Sequence, residues 1–300
     1  MADVTGHARI PYTSRLVAAA PGGLQPYLRL ARFDRPAGTW LLLWPCWWSL
    51  ILAGAEAWLF VLFALGALVM RAAGCVVNDI ADRRIDGLVE RTRDRPLASG
   101  ALSVAQALAF LAVLLLAGLA VLVQLPANAV LLGALSLVPV AVYPLAKRFT
   151  DWPQALLGLT FNWGALLGWT AATGTLAAPA LVLYGACIAW TLGYDTIYAH
   201  QDKRDDAAIG VRSSALALGA RTRPWVAAFY ALAWVGIAAA AELAGLGWAA
   251  LAFLAPAAAH LAWQVLRLAI DDPARCHALF RSNVELGGIV AAGLLLARWV

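Results

Sequence analysis

Long apolar runs separated by short polar breaks dominate this chain. Nine stretches of about twenty residues carry almost no charge, the length an α-helix needs to cross the hydrocarbon core of a bilayer. They fall at roughly 37–54, 57–78, 102–124, 127–146, 154–172, 178–199, 224–243, 247–268 and 283–299. The longest polar stretches, about 20 to 36 residues, are too short for a separate soluble domain. The pattern predicts an all-α, polytopic membrane protein. A single transmembrane domain occupies 37–300, and an N-terminal cytoplasmic or interfacial segment occupies 1–36.

Composition agrees with the pattern: 63% of the 300 residues are apolar and 13% charged, and mean hydropathy is +0.76. The placement of charge adds orientation. With nine spans, residues 1–36, 79–101, 147–153, 200–223 and 269–282 share one side. These segments and their immediate flanks hold 20 of the 22 Lys and Arg residues, Arg71 and Arg298 being the exceptions. Basic residues collect on the cytoplasmic side. The pI near 9.3 therefore reports topology. No basic run is interleaved with stacking aromatics, so nucleic acid is not an expected partner. Residues 1–36 lack the apolar core of a cleavable signal peptide. Their arginines and partial amphipathicity suit a helix lying on the membrane surface, with a mitochondrial address as the alternative.

Two acid-rich segments interrupt the apolar background. Asn78, Asp82 and Asp86 are spaced i, i+4, i+8 and predict one polar ridge on a helix. Asp195, Asp202 and Asp206 follow i, i+7, i+11, also one face of a continuous helix, with Tyr198 beside it. Carboxylates at the edge of a span are costly and mark function. Two facing ridges of hard oxygen ligands suit Mg²⁺ holding a phosphorylated substrate. The plainer reading is two solvated loops of ordinary charge. Asp79, Arg83, Arg84 and Asp205 are expected to be interface charges of that ordinary kind.

Other candidate chemistry is sparse. Cys46, Cys75, Cys187 and Cys276 form no metal or disulfide pattern. His200 lies inside the second acidic segment, within expected reach of the site, and His260 reads as a helix-packing residue. Several Trp residues stand at span ends as interfacial anchors. The two segments recur four helices apart, a weak architectural repeat that would set the ridges opposite each other in a bundle.

The motifs NDxxDxxxD at 78–86 and DxxYAxxDxxxD at 195–206 resemble the paired Asp-rich motifs of the UbiA superfamily of intramembrane aromatic prenyltransferases. Segments Arg32–Pro45, Arg91–Gly100 and Tyr143–Arg148 look like its 4-hydroxybenzoate polyprenyltransferase branch. The resemblance runs from about Arg29 to the C-terminus. It implies about nine helices around a central cavity and Mg²⁺-dependent transfer of a polyprenyl chain from its diphosphate to the ring of 4-hydroxybenzoate, as in ubiquinone synthesis.

Carried over residue by residue, Asn78, Asp82, Asp86, Asp195, Asp202 and Asp206 would hold Mg²⁺ against the diphosphate. Arg91, Arg95 and Lys147 would neutralise phosphate oxygens. Tyr143 and Tyr198 would offer a hydroxyl or a ring face. Arg71, two turns before Asn78 on nearly the same face, would meet the hydroxybenzoate carboxylate, against the alternative that it snorkels to the interface. The implied setting is a bacterial inner membrane with the site facing the cytoplasm, ahead of a mitochondrial inner membrane. A relative using a naphthoate, a homogentisate or haem as acceptor would keep the Asp motifs. A transporter would instead place polar groups near the midplane or in broken helices.

Overall fold

A computed structural model describes residues 15–88, 92–143, 146, 150–210 and 212–300. Two short helices, α1 (Arg15–Ala19) and α2 (Gln25–Leu30), precede α3 (Ala37–Ala53) and α4 (Ala57–Asp86). Next come α5 (Val104–Leu122), α6 (Ala127–Leu135), α7 (Leu137–Val142), α8 (Pro153–Phe161) and α9 (Trp163–Thr173). The second half holds α10 (Ala178–Ala199), α11 (Lys203–Ile209), α12 (Ser214–Leu218), α13 (Thr222–Leu243), α14 (Ala249–Arg267) and α15 (Pro273–Trp299). No strand occurs among the described residues. Six helical stretches are long and apolar enough to cross a membrane, and Ala37–Ala53 and Ala127–Val142 are shorter apolar ones. The protein is an integral membrane protein.

Each of the nine expected spans is helical over most of its described length, with instructive departures. The 127–146 span divides at Ser136, because Pro139 has no N–H to offer the Leu135 carbonyl. The 154–172 span breaks at Asn162, whose amide Nδ2 donates to the Gly158 carbonyl and to Thr191 Oγ1, each at 2.8 Å. Helix α4 continues eight residues past the expected end. At 30 residues it measures about 45 Å, so its last turns clear a hydrocarbon core of about 30 Å. That overhang carries the first acidic motif.

The core gathers α3, α10, α13, α14 and α15, with Trp48, Trp190, Tyr194, Tyr230 and Leu254 essentially sealed. Gly236 lets α13 approach α10 closely: a Cβ there would stand 2.7 Å from that of Ala186. Inside this layer Asn283 and Gln264 exchange amide hydrogen bonds. Trp190 Nε1 donates to Asn283 Oδ1 and the Tyr230 hydroxyl to Gln264 Oε1. This network ties α10, α13, α14 and α15 together as the back wall of the bundle. A smaller cluster of Leu30, Val76, Leu97, Leu102 and Ala107 joins α2, α4, the 92–102 loop and α5.

Candidate active site

A cavity of about 1480 Å³ opens between these layers. One side is apolar, built from Leu111, Leu115, Leu119 and Leu122 of α5 and Leu137 and Val140 of α7. The other end gathers the acidic segments of α4 and α10.

On the α4 wall, Asn78 borders the cavity, and Asp82 and Asp86 are buried at 6% exposure without lining it. The expected single ridge winds away, since a step of four residues turns about 40° past a full rotation. Asp86 Oδ2 accepts from Arg95 Nη1 at 2.7 Å, and Thr92 Oγ1 donates to the Asp86 carbonyl at 2.9 Å. Asp79 corrects the sequence expectation. It is 1% exposed, and its Oδ1 accepts from Arg32 Nη2 at 2.6 Å and Arg95 Nη1 at 3.2 Å. Standing seven residues before Asp86, it faces the same loop, both carboxylates meeting Arg95. Arg83 and Arg84 are exposed as expected.

The second acidic segment does not form one continuous helix. α10 stops at Ala199, and tight turns carry Gln201 N–H to the Tyr198 carbonyl and Asp202 N–H to Ala199. Asp202 then precedes α11 as its N-cap residue. Gln201 Nε2 also donates to the Tyr198 carbonyl at 3.1 Å, replacing a bond the break removes. Despite the break, Asp195, Tyr198, Asp202 and Asp206 all border the cavity. His200 does not border it. Its ring is buried against α13, Nε2 lying 2.9 Å from Thr222 Oγ1.

Deeper in the cavity, the Arg71 guanidinium packs over the Gly38 backbone, where a Cβ would lie 2.6 Å from Nε and Nη2. Its Cζ stands 5.1 Å from the Phe161 ring centroid, a cation–π contact. Arg71 Nε is buried with no hydrogen-bond partner among the described residues. Tyr143 lines the cavity within electrostatic reach of Asp195, Arg71 and Asp82. Arg91 and Lys147 lie outside the described residues. Sequence reasoning gave no role to Arg32, Phe161, Tyr194, His277 or Arg281, which also border the cavity. Arg32 stood within a quoted motif, whereas Phe161, Tyr194 and His277 carried no signal in composition or spacing.

Among the described residues no three His, Cys, Asp or Glu side chains converge on one point. The donors are instead hard oxygens from two walls: Asn78 on one, Asp195, Asp202 and Asp206 on the other. That set fits Mg²⁺, which keeps water and substrate phosphates in its shell and is held by few protein ligands. It does not fit a closed, all-protein metal cage.

Residues 42–286 match the UbiA prenyltransferase family. The chain is 49% identical over 298 residues to 4-hydroxybenzoate polyprenyltransferase, mitochondrial, of Caenorhabditis elegans, covering 95% of this chain and 82% of that one. It is 47% identical to the Homo sapiens protein of the same name, covering 94% and 77%. Both relatives are mitochondrial by name, which does not favour the bacterial inner membrane expected from the sequence. Among solved structures, an apo UbiA homolog from Aeropyrum pernix K1 superposes with a TM-score of 0.73 at 28% identity, covering 86% of this chain and 97% of that one. A UbiA homolog from Archaeoglobus fulgidus bound to GPP and Mg²⁺ has a TM-score of 0.64 over 92% and 100% of the two chains. At 17% identity that likeness is one of fold. By the family match and the identity over nearly its full length, the chain belongs to the UbiA prenyltransferase family.

Proposed function

We infer that this protein transfers a polyprenyl chain from polyprenyl diphosphate to the ring of 4-hydroxybenzoate. The observation that carries the reading is Arg71. A half-buried cation with a buried, unpartnered Nε, held by Gly38 and Phe161 beside an acidic end and an apolar wall, suits a small aromatic carboxylate. The names of the relatives supply the acceptor and donor classes.

In this reading the apolar α5–α7 wall holds the prenyl tail and excludes water from the reacting carbon. Asn78 from one side and Asp195, Asp202 and Asp206 from the other would hold Mg²⁺, with Asp82 and Asp86 adding negative charge behind Asn78; when bound, the ion would neutralise the diphosphate as charge builds on it. Arg95, with Arg91 and Lys147, contacts phosphate oxygens. The allylic C–O bond breaks with its electron pair on the diphosphate. The ring carbon ortho to the acceptor hydroxyl forms the new C–C bond and then loses its proton. Arg71 fixes the acceptor carboxylate, and Tyr143 and Tyr198 flank the reacting groups.

The domain reading is one transmembrane domain over 37–300 preceded by an N-terminal segment whose described residues, 15–36, ride on its basic side; the sealing of Val17 and Leu30 supports such a seat. Both acidic walls belong on the Lys- and Arg-rich, cytoplasm-equivalent face. The names of the relatives support a mitochondrial setting better than the bacterial one. The test is an assay of membranes with 4-hydroxybenzoate and allylic diphosphates of several lengths, with and without chelator. Prenylated 4-hydroxybenzoate should form only with Mg²⁺ present. Full activity in excess chelator, or no product from any donor, overturns the reading.

A further inference from the structure

Helix α2 ends in a turn whose hydrogen bonds are those of a Schellman motif. Phe33 N–H reaches the Leu28 carbonyl and Arg32 N–H the Arg29 carbonyl, both at 3.0 Å. The residue at its left-handed position is Arg32, at φ 61°, where glycine is normally found. It is the only non-glycine residue with positive φ among the described residues. A strained position held by an arginine, when glycine would relax it, directs attention to the side chain.

That side chain reaches Asp79, 47 positions along the chain. The same carboxylate oxygen accepts from Arg95, whose Nη1 also reaches Asp86. Asp79 Oδ2 is buried with no hydrogen-bond partner among the described residues. Two costs thus meet at one point, an arginine in a glycine conformation and a buried carboxylate using one oxygen for two cations. Beneath them, the cluster around Leu30, Val76 and Leu97 ties together the same three pieces of chain. Arg32, Asp79 and Arg95 all border the cavity at its acidic end.

We propose that Asp79 is a positioning residue, the anchor of a two-arginine clamp that holds the 31–36 turn and the 92–102 loop over the cavity mouth and aims Arg32 and Arg95 at the incoming diphosphate. Its charge keeps the two guanidinium groups together where they would otherwise repel. The part that concerns diphosphate rests on the function proposed above; the clamp itself does not.

Arg32→Gly separates the roles, because glycine suits the turn and only the guanidinium is lost. In the full-length enzyme, Arg32→Gly and Asp79→Asn should each raise KM for the prenyl diphosphate about tenfold and leave KM for 4-hydroxybenzoate unchanged. The double variant should be no worse than the weaker single one, since both remove one device. Equal rises in both KM values, a fall in kcat alone, or multiplied effects in the double variant overturn the proposal. Spin labels at the exposed positions 29 and 93 read the clamp without substrate. A narrow distance distribution should broaden in Asp79→Asn, and an unchanged one refutes the clamp. Broadening in a protein that turns over none of these substrates retains the clamp and removes the diphosphate reading instead.

Discussion

On α4, Asp79 and Asp86 are buried and share Arg95, whereas Asp195, Asp202 and Asp206 of the α10–α11 segment border the open cavity. The two acidic segments begin from similar sequences, and backbone path separates them. α4 runs on as an unbroken helix, so its ridge rotates out of the cavity and under the 92–102 loop. α10 breaks after Ala199, and the turn redirects Asp202 and Asp206 back toward the cavity. The first wall is paired with arginines and ties loops together, while the second lies along the cavity itself. Similar acidic motifs therefore divide into one that also ties loops to the bundle and one whose carboxylates border the cavity.

The sharpest way to break that contrast is to neutralise each wall in turn. Asp195→Asn or Asp202→Asn should cost about 10²–10³ in kcat/KM, the scale of losing a group that acts on developing charge, with a smaller loss of stability than at Asp86 because both line the open cavity. Asp86→Asn should also lose activity, but with a destabilisation of about 2–3 kcal/mol, reduced from a fully buried pair because Arg95 is partly exposed. Equal stability losses on both walls, measured by thermal unfolding in nanodiscs, would erase the distinction.

Arg71 extends the comparison from the walls to the floor of the site. Arg71→Ala should weaken 4-hydroxybenzoate by about 2–5 kcal/mol, read as its KM, with a much smaller effect on the prenyl diphosphate. If the diphosphate alone weakens, Arg71 belongs with the phosphate-binding arginines. A gentler probe is Gly38→Ala. The added methyl would fall 2.6 Å from the guanidinium, so Arg71 must shift by some tenths of an ångström. Its expected effect has the same direction and is smaller, about 1–2 kcal/mol, as for a modest overpacking. No change in acceptor KM would show that the placement of Arg71 is irrelevant to acceptor binding.

Much of this arrangement was legible in the sequence. Hydrophobic run length located the apolar helices, because lipid forces every backbone group into helix and leaves little else to choose. The i, i+4 spacing placed Asn78, Asp82 and Asp86 on one stretch of α4, of which only Asn78 borders the cavity. Three things were hidden. The break at His200–Asp202 depends on Gln201 bonding back to Tyr198, which has no strong local signature. The role of Asp79 depends on Arg32, far away in sequence. The seat of Arg71 depends on Gly38 and Phe161 from two other helices. Spacing along one helix says which side chains share a face; it does not say what packs against that face.

The last comparison concerns how the second wall is anchored. Where arginines hold the first wall, the α10–α11 turn is fixed to α13 through His200 and Thr222. Burial, and after it the nearby Lys203 ammonium, pushes the His200 imidazole down from its ordinary 6.5 to about 4. Between those two values the unfolded chain takes up a proton that the folded protein refuses. Its contribution to stability is therefore full above about pH 6.5, falls as pH drops through that window and levels off below about pH 4. The slope from this one group cannot exceed about 1.4 kcal/mol per pH unit. Thermal unfolding from pH 7 to pH 5 should fall more steeply in the wild type than in His200→Gln, which keeps a donor for Thr222 and does not titrate. Parallel curves would mean that His200 is not the group responsible, and that the second wall is anchored by something other than a neutral imidazole.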